Sequence, residues 1–346
     1  MDKFNIVFIE TENSKRSILG RRAEEYILRE FAGFDAAGSR IVKEEVFSSA
    51  PEKYYSADAI NVVLTLDTPL LRRKTVEHFV ALMRNRNIKS VRLGAKDSPS
   101  LIRIGDATDE GIFIADDDFL KLDGAKSYNM VYNLLRDRIL EAHLLAGVNV
   151  VDKTTTFIDD TVKIEPGAQI LPFSRIEGDS VIRSDARVSA SFVRNSVVES
   201  GASVEMSHIV DSCVRARATV GPFARLRGAQ IGEGCRIGDF VEVKASRLGD
   251  GVKASHLSYV GDAEVGDGTN VGCGTVFCNY DGKEKHKTTV GNGCFIGANT
   301  NLIAPVVVGD NAFIAAGTTV TRDVSDSSFT IGRVRQDTKT KNKSQD

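Results

Sequence analysis

Between Ile158 and Val188 an aliphatic residue recurs every six positions, at Ile158, Ile164, Ile170, Ile176, Ile182 and Val188. The same step returns at Val290, Ile296, Leu302, Val308, Ile314 and Val320. Many of the aliphatics are followed at once by glycine, as in Ile231-Gly232, Ile237-Gly238, Val265-Gly266, Val271-Gly272, Ile296-Gly297 and Val308-Gly309. A sustained six-residue period predicts a β-solenoid in which each hexapeptide forms one flat face and three close a coil. A coil can bury its inward aliphatics only against its neighbours, so the run must stack into a prism with one continuous core. Five-residue steps from Leu226 to Ile231, Val243 to Leu248 and Val260 to Val265 mark corners, and the gap between Phe277 and Val290 marks an ejected loop. Loops on a rigid scaffold are common places for chemistry.

Upstream the period is different. Asn5 to Ile9 is a short buried-strand run, and Ile60 to Leu66 is a second one rich in β-branched residues; Arg21 to Phe31 and Lys74 to Arg86 have helical spacing. Strands alternating with helices predict a small α/β unit. Val131, Leu134, Leu135, Leu144 and Leu145 keep helical spacing from Ser127 to Ala146, and Gly147 is a natural terminator. The chain therefore divides into an α/β domain over 1–125, a connecting helix over 126–148, a β-solenoid over 149–330 and a tail over 331–346. The polar basic stretch Thr338 to Ser344 within that tail reads as mobile.

A chain of 346 residues has room for both units. Its formal net charge is only −2 and its Lys and Arg are dispersed, which argues against a nucleic-acid stripe or a polybasic membrane patch. With neither an apolar stretch of spanning length nor a signal-peptide pattern, a cytoplasmic protein is expected. The five cysteines form no C-x-x-C pair and read as reduced thiols, most of them packing as small core residues. Asp116-Asp117-Asp118 reads as a solvated loop or helix start, since contiguous acids point in different directions. A zinc carbonic anhydrase would need three converging histidines, whereas His208, His256 and His286 are scattered.

Gly221-Pro-Phe-Ala-Arg-Leu-Arg227, Asn279-Tyr280-Asp281-Gly282 and Ala315-Ala316-Gly317-Thr-Thr-Val-Thr-Arg322 carry a more specific signal. So do Phe240-Val-Glu-Val-Lys244, His256-Leu-Ser-Tyr259-Val-Gly-Asp-Ala-Glu and Asn270-Val-Gly between them. From about Gly221 to Arg333 the chain resembles the acetyltransferase domain of the bacterial bifunctional glucosamine-1-phosphate acetyltransferase/N-acetylglucosamine-1-phosphate uridyltransferase family. The resemblance implies a left-handed parallel β-helix, a homotrimer, and acetyl-CoA bound between adjacent prisms. It makes His256 the general base, a role that suits a side chain titrating near neutral pH when an amine must lose its proton. Arg227, Lys244 and Lys285 would hold the acceptor phosphate. Tyr259 and Asn270 would meet the sugar, and Asn279 would contact substrate and help hold the acetyl group, with Tyr280 following it into the loop. Along the later coils, Cys273, Ala298, Ala316 and Arg333 match positions lining the path of acetyl-CoA.

Three positions depart from the family pattern. The segment after Arg227 is one residue short, which is expected to move the phosphate clamp. Ala298 stands where a serine hydroxyl is common, and Cys273 replaces a smaller residue used through its backbone. In the first half, Leu66-Asp67-Thr-Pro-Leu-Leu71 and Asp109-Glu-Gly111-Ile-Phe-Ile-Ala115 resemble magnesium-binding segments of the family's uridyltransferase domain. The first strand, however, runs into Glu10-Thr-Glu-Asn-Ser-Lys-Arg with no glycine to let backbone N–H groups approach a triphosphate. A lone carboxylate such as Asp67 holds magnesium poorly. The expectation is an acetyl-CoA-dependent N-acetyltransferase of glucosamine 1-phosphate or a related amino-sugar phosphate, with uridyl transfer lost from a truncated N-terminal unit. The alternative, from another class, is a catalytically silent sugar-nucleotide-binding or scaffold protein.

Overall fold

The computed structural model describes residues 3–34, 39–94, 99–105, 107 and 112–338. Two compact units emerge, Met1–Glu141 with Ile158–Thr161, and Ala142–Phe157 with Val162–Asp346. The expected 1–125 boundary thus falls inside a larger body, because most of the connecting helix packs with the first unit. Residues Asp109 to Gly111, and the tail beyond Thr338, lie outside the described residues.

In the first unit a mixed six-stranded sheet runs in the order Arg40–Lys43, Phe4–Glu10, Ile60–Thr65, Leu101–Ile104, Ser90–Leu93, Ile112–Ile114. The first three strands are parallel, and Leu101–Ile104 is antiparallel to both of its neighbours. Alternation along the central strands explains why both faces are covered. Ile6, Phe8, Val62 and Leu64 join Ile27, Val76, Phe79 and Met83 from the helices in one core cluster. Val7, Ile9 and Val63 meet Phe47 in a second. Helix Ala125–Leu145 ends as its glycine predicts: Gly147 takes φ +88° and its N–H donates to Leu144 O at 3.0 Å, while Val148 N–H donates to His143 O at 3.0 Å. The triple-acid segment is a helix start, with Asp116 and Asp117 exposed and Asp118 turned inward. Asp116 accepts a hydrogen bond from Asp118 N–H at 2.8 Å and starts the short turn Asp117–Phe119. Asp118 itself is buried, because Arg138, Arg72 and Thr75 surround its carboxylate and offset the cost of desolvation.

Beyond the helix the chain winds through three parallel sheets of ten, nine and eleven strands. Each coil visits them in turn. The first face carries Arg225–Arg227, Glu242–Lys244, Tyr259–Gly261 and Val276–Cys278; the second, Gln230–Ile231, Arg247–Leu248, Ala263–Val265 and Thr288–Val290; the third, Arg236–Asp239, Lys253–His256, Asn270–Val271 and Phe295–Ile296. The periodic aliphatics stack in register, for example Leu226 on Val243 and Ile231 on Leu248, and form the buried interior. All three five-residue steps fall at the corner between the first and second faces, and residues 279–287 are ejected at that same corner. Burial of the cysteines is narrower than expected. Cys235 and Cys294 are buried, Cys213 and Cys278 half-buried, and Cys273 is exposed because it sits on an outward corner. Burial pushes the Cys235 thiol up to about 11.

The glycine that follows an inward aliphatic has a steric cause. A β-carbon on Gly232 would run into the carbonyl group of Gly249 in the next coil, although its backbone angles are ordinary. Gly234, two residues on, is the opposite case: nothing lies within 4 Å, but its φ is +65°. The first glycine is required by close approach of coils and the second by handedness alone. Gly232→Ala is therefore expected to lower the thermal midpoint clearly more than Gly234→Ala, whose left-handed backbone costs about 1–2 kcal/mol. Circular dichroism melts check this, and an equal or reversed order would contradict the crowding argument.

Candidate functional site

Corner positions repeat from coil to coil, so side chains far apart in sequence become a column. Asp239 pairs in register with His256 at the end of the third face. Gly274 N–H donates to Leu257 O at 2.8 Å, Asn299 N–H to Cys273 O at 2.7 Å and Gly317 N–H to Ala298 O at 2.8 Å. These bonds place Cys273, Ala298 and Ala316 successively above His256, each about one strand spacing of 4.8 Å further on. His256, Cys273 and Ala316 are exposed and Ala298 is half-buried. Arg333 closes the far end, its Cδ 3.6 Å from where a β-carbon on Gly317 would sit. Small side chains leave the corner backbone open to a slender thioester arm, and the guanidinium offers charge to nucleotide phosphates. The column thus leaves room for a slender, phosphate-bearing ligand. Ala298 leaves it without a hydroxyl at that level.

At the opposite corner of the first face a second group gathers. Arg227 and Lys244 are strand neighbours in register. The short segment after Arg227 makes another five-residue corner, with Gly228 at φ +60°. Arg227 Nε donates to Glu242 Oε1 at 2.9 Å, so a carboxylate of the same chain already engages it. Lys244 Nζ donates to both oxygens of Asp262, at 3.0 and 2.9 Å. Asn279 Nδ2 donates to Asp262 Oδ2 and lies 3.4 Å from the Tyr259 hydroxyl. That hydroxyl occupies the space left by Gly261, where a β-carbon would come within 2.5 Å of it. Burial alone would raise the Asp262 carboxyl, but hydrogen bonds from Lys244 and Asn279 and the charges of Lys244 and Lys285 outweigh it and hold its pKa below 3.8. Asp262 raises the pKa of Lys244 above 10.5, and Lys244 in turn is the main reason that Lys285 is held below 10.5.

The ejected loop that carries Lys285 is ordered by its own aspartate. Asp281 accepts from the N–H groups of Lys283 and Glu284 at 2.7 Å each and sits 2.7 Å from His286 Nε2. The Glu284 N–H, His286 and the Lys283 N–H hold its carboxyl well below the usual range. Tyr280 bridges to Lys285 across the loop and is exposed. Asn270 stands apart, pointing outward from the third face between Lys253 and Phe295, away from Tyr259 and Lys244. Sequence reading overlooked Asp262 and Glu242. Asp262 lies inside the His256-to-Glu264 motif, but an aspartate at a tight corner is also ordinary turn chemistry.

The first unit has its own cleft, of about 740 Å³, at the carboxyl ends of the parallel strands. Glu10, Glu12, Glu44, Glu45, Asp67 and Asp123 outnumber Lys15, Lys43 and Lys121 in its lining. Asp67 is buried and its Oδ1 has no hydrogen-bond partner. Among the described residues no three His, Cys, Asp or Glu side chains converge where they would hold a metal ion. No helix among the described residues is long and apolar enough to cross a membrane.

A parallel β-solenoid of hexapeptide repeats carrying these corner columns defines a class, and residues 287–322 match the bacterial transferase hexapeptide family (six repeats). The relatives are more specific. The chain is homologous to proteins named Bifunctional protein GlmU: 45% identical over 221 residues to that of Brevibacillus brevis, covering 63% of this chain and 47% of that protein. The Clostridium novyi protein is 49% identical over 205 residues, 59% of this chain and 45% of its own length. For Staphylococcus haemolyticus the figures are 47% over 228 residues, 64% and 51%. The chain spans about half the length of the curated relatives it matches.

Proposed function

We propose that this chain is an acetyl-CoA-dependent N-acetyltransferase acting on glucosamine 1-phosphate or a closely related amino-sugar phosphate, with His256 as general base. The observation that carries this reading is the placement of two unlike groups on either side of one strand. The three residues of Tyr259–Gly261 separate the His256 column from the Lys244, Lys285 and Asp262 corner, and at about 3.3 Å per residue the separation is about 10 Å. A hexose phosphate lying across that strand reaches both corners. The thioester supplies the activated acetyl group. His256 accepts the proton that the acceptor amine releases as its C–N bond forms and the thioester C–S bond breaks, and returns it to the departing CoA thiolate; Lys244 and Lys285 hold the phosphate, and Tyr259 and Asn279 meet the sugar between them. Asn270, on the next face, serves the site only if a neighbouring prism brings the two faces together.

We infer a homotrimer from the same corner. Phe173, Met206, Phe223, Phe240 and Leu257 occupy left-handed turns of this corner, at φ 62°, 40°, 58°, 59° and 36°, and all are exposed; the smaller Ala190, at φ 45°, is the turn between the first two. Equivalent turns on the other corners carry mostly Gly, Asn or Asp. Left-handed backbone strains bulky side chains, and an exposed apolar line gains nothing in a lone prism. Burial against second and third copies offsets both costs. Light scattering is expected to give about three times 37.6 kDa, and Phe240→Asp to lower it towards one chain. A wild-type monomer at micromolar concentration would rule out the shared corner.

Uridyl transfer has no part in this reading, because the acid-rich cleft repels a triphosphate; magnesium-dependent pyrophosphate release from UTP and N-acetylglucosamine 1-phosphate would overturn that. The silent-scaffold alternative rests on Ala298, which leaves one hydrogen-bond donor fewer near the thioester. Release of free CoA thiol from acetyl-CoA, measured against amino sugars and their 1-phosphates, separates the two. Turnover is expected with a phosphorylated amino sugar, and His256→Ala is expected to lower it by roughly two to four orders of magnitude with acetyl-CoA binding nearly unchanged. Thiol release by no acceptor would favour the scaffold, and undiminished turnover in a folded His256→Ala protein would remove the base.

A further inference from the structure

One carboxylate in the acceptor corner has more partners than its position requires. Asp262 occupies a tight corner at φ 49°. The equivalent corners in the preceding coils are Asn195, Asp211, Gly228 and Ala245, all in the same left-handed region. Ala245 shows that the backbone there does not demand a carboxylate. What distinguishes Asp262 is that it binds Lys244 Nζ through both oxygens, at 3.0 and 2.9 Å, and also accepts from Asn279 Nδ2. Lys244 and Lys285 lie close enough to shift each other's titration, and the charge of Asp262 acts on both ammonium groups.

An ionised carboxylate can only accept hydrogen bonds, so it decides which end of the Asn279 amide faces it. The NH2 must point to Asp262. Its other hydrogen is directed towards the Tyr259 hydroxyl at 3.4 Å. Both donors of Asn279 are thereby used inside the protein, and the side-chain polar atom left for a ligand is the carbonyl oxygen.

We propose that Asp262 is a positioning residue that builds both halves of the acceptor pocket at once: it anchors the Lys244 ammonium beside Lys285, and it fixes Asn279 so that a carbonyl oxygen, not an NH2, meets the acceptor. The role in turnover rests on the reading of this face as the acceptor site. The pocket then takes a ligand with an anionic group at the lysine corner and an N–H donor near Asn279, the chemistry of an amino-sugar phosphate. Asp262 touches neither the reacting nitrogen nor the thioester.

Asp262→Asn tests this, because asparagine tolerates the left-handed corner as aspartate does. It places an NH2 where Lys244 or Asn279 now donates, so one of the two must let go. Two measurements are made on the full-length protein. In the first, competitive labelling of lysines with acetic anhydride is followed by mass spectrometry without any ligand. Lys244 is expected to react more slowly than Lys285 in the wild type and to gain reactivity in Asp262→Asn, while Lys163 on an early coil stays unchanged. In the second, the acceptor KM for CoA release is expected to rise about ten- to hundredfold, the worth of one hydrogen bond to a charged group, with the acetyl-CoA KM unchanged. Labelling of Lys244 that is the same in both proteins overturns the anchoring role. An unchanged acceptor KM in an active enzyme overturns the role in binding. If no acceptor turns over but the labelling shifts as expected, the positioning stands and the acetyltransferase reading falls.

Discussion

The second unit depends on one constraint: the inward aliphatics of a coil are shielded from water only by the coils above and below. Leu226, Val243, Val260 and Phe277 belong to four successive turns of the first face and are all buried, each covered by the turns before and after it. Satisfying that need fixes the register, and the register fixes everything outside. Coils pressed together leave no room for a β-carbon at Gly232 or Gly266, which is why glycine so often follows the inward residue. The same stacking turns every corner into a straight column. His256, Cys273, Ala298 and Ala316 are scattered over sixty residues of sequence and become a continuous edge for that reason alone.

That edge changes character at a single level. Up to Leu257 its left-handed positions are bulky and apolar except for Ala190, and from Gly274 onwards they are Gly274, Asn299 and Gly317. The lower half carries the strain expected of a surface that another chain covers, and the upper half has the small side chains that leave backbone accessible to a thioester. His256 sits at the transition. Strain, packing and chemistry are thus distributed along one line by residue choice, with no change in the path of the chain.

Much of this was readable before any coordinates. The six-residue period gave the solenoid, the five-residue steps gave the corner between the first and second faces, and the interruption after Phe277 gave the loop, because each follows from burial of a repeating aliphatic. Gly147 ended its helix for a local reason. Other features need three dimensions. The triple acid reads as a solvated loop or helix start, and it does start a helical turn, yet Asp118 is buried because Arg138 approaches from a helix and Arg72 from the segment before another. Most of the five cysteines read as core residues, yet only Cys235 and Cys294 are buried, because the period does not say which side chains beside a corner turn outward. The importance of Asp262 was invisible because its partners lie 18 residues before and 17 residues after it, and only coil stacking brings them together. The corner after Arg227 has the same length as those after Lys244 and Gly261, which only the stacked faces make visible.

The central claim is that the corner above His256 is where acetyl-CoA lies. Cys273 offers a direct probe, since it is exposed one turn above His256, whereas Cys235 and Cys294 are buried. The measurement is the rate of alkylation of Cys273 by iodoacetamide, resolved by mass spectrometry, with and without millimolar acetyl-CoA. The account predicts strong protection of Cys273 by acetyl-CoA, with the half-buried Cys213 on an earlier coil unaffected. Alkylation of Cys273 at the same rate with and without the thioester would contradict it.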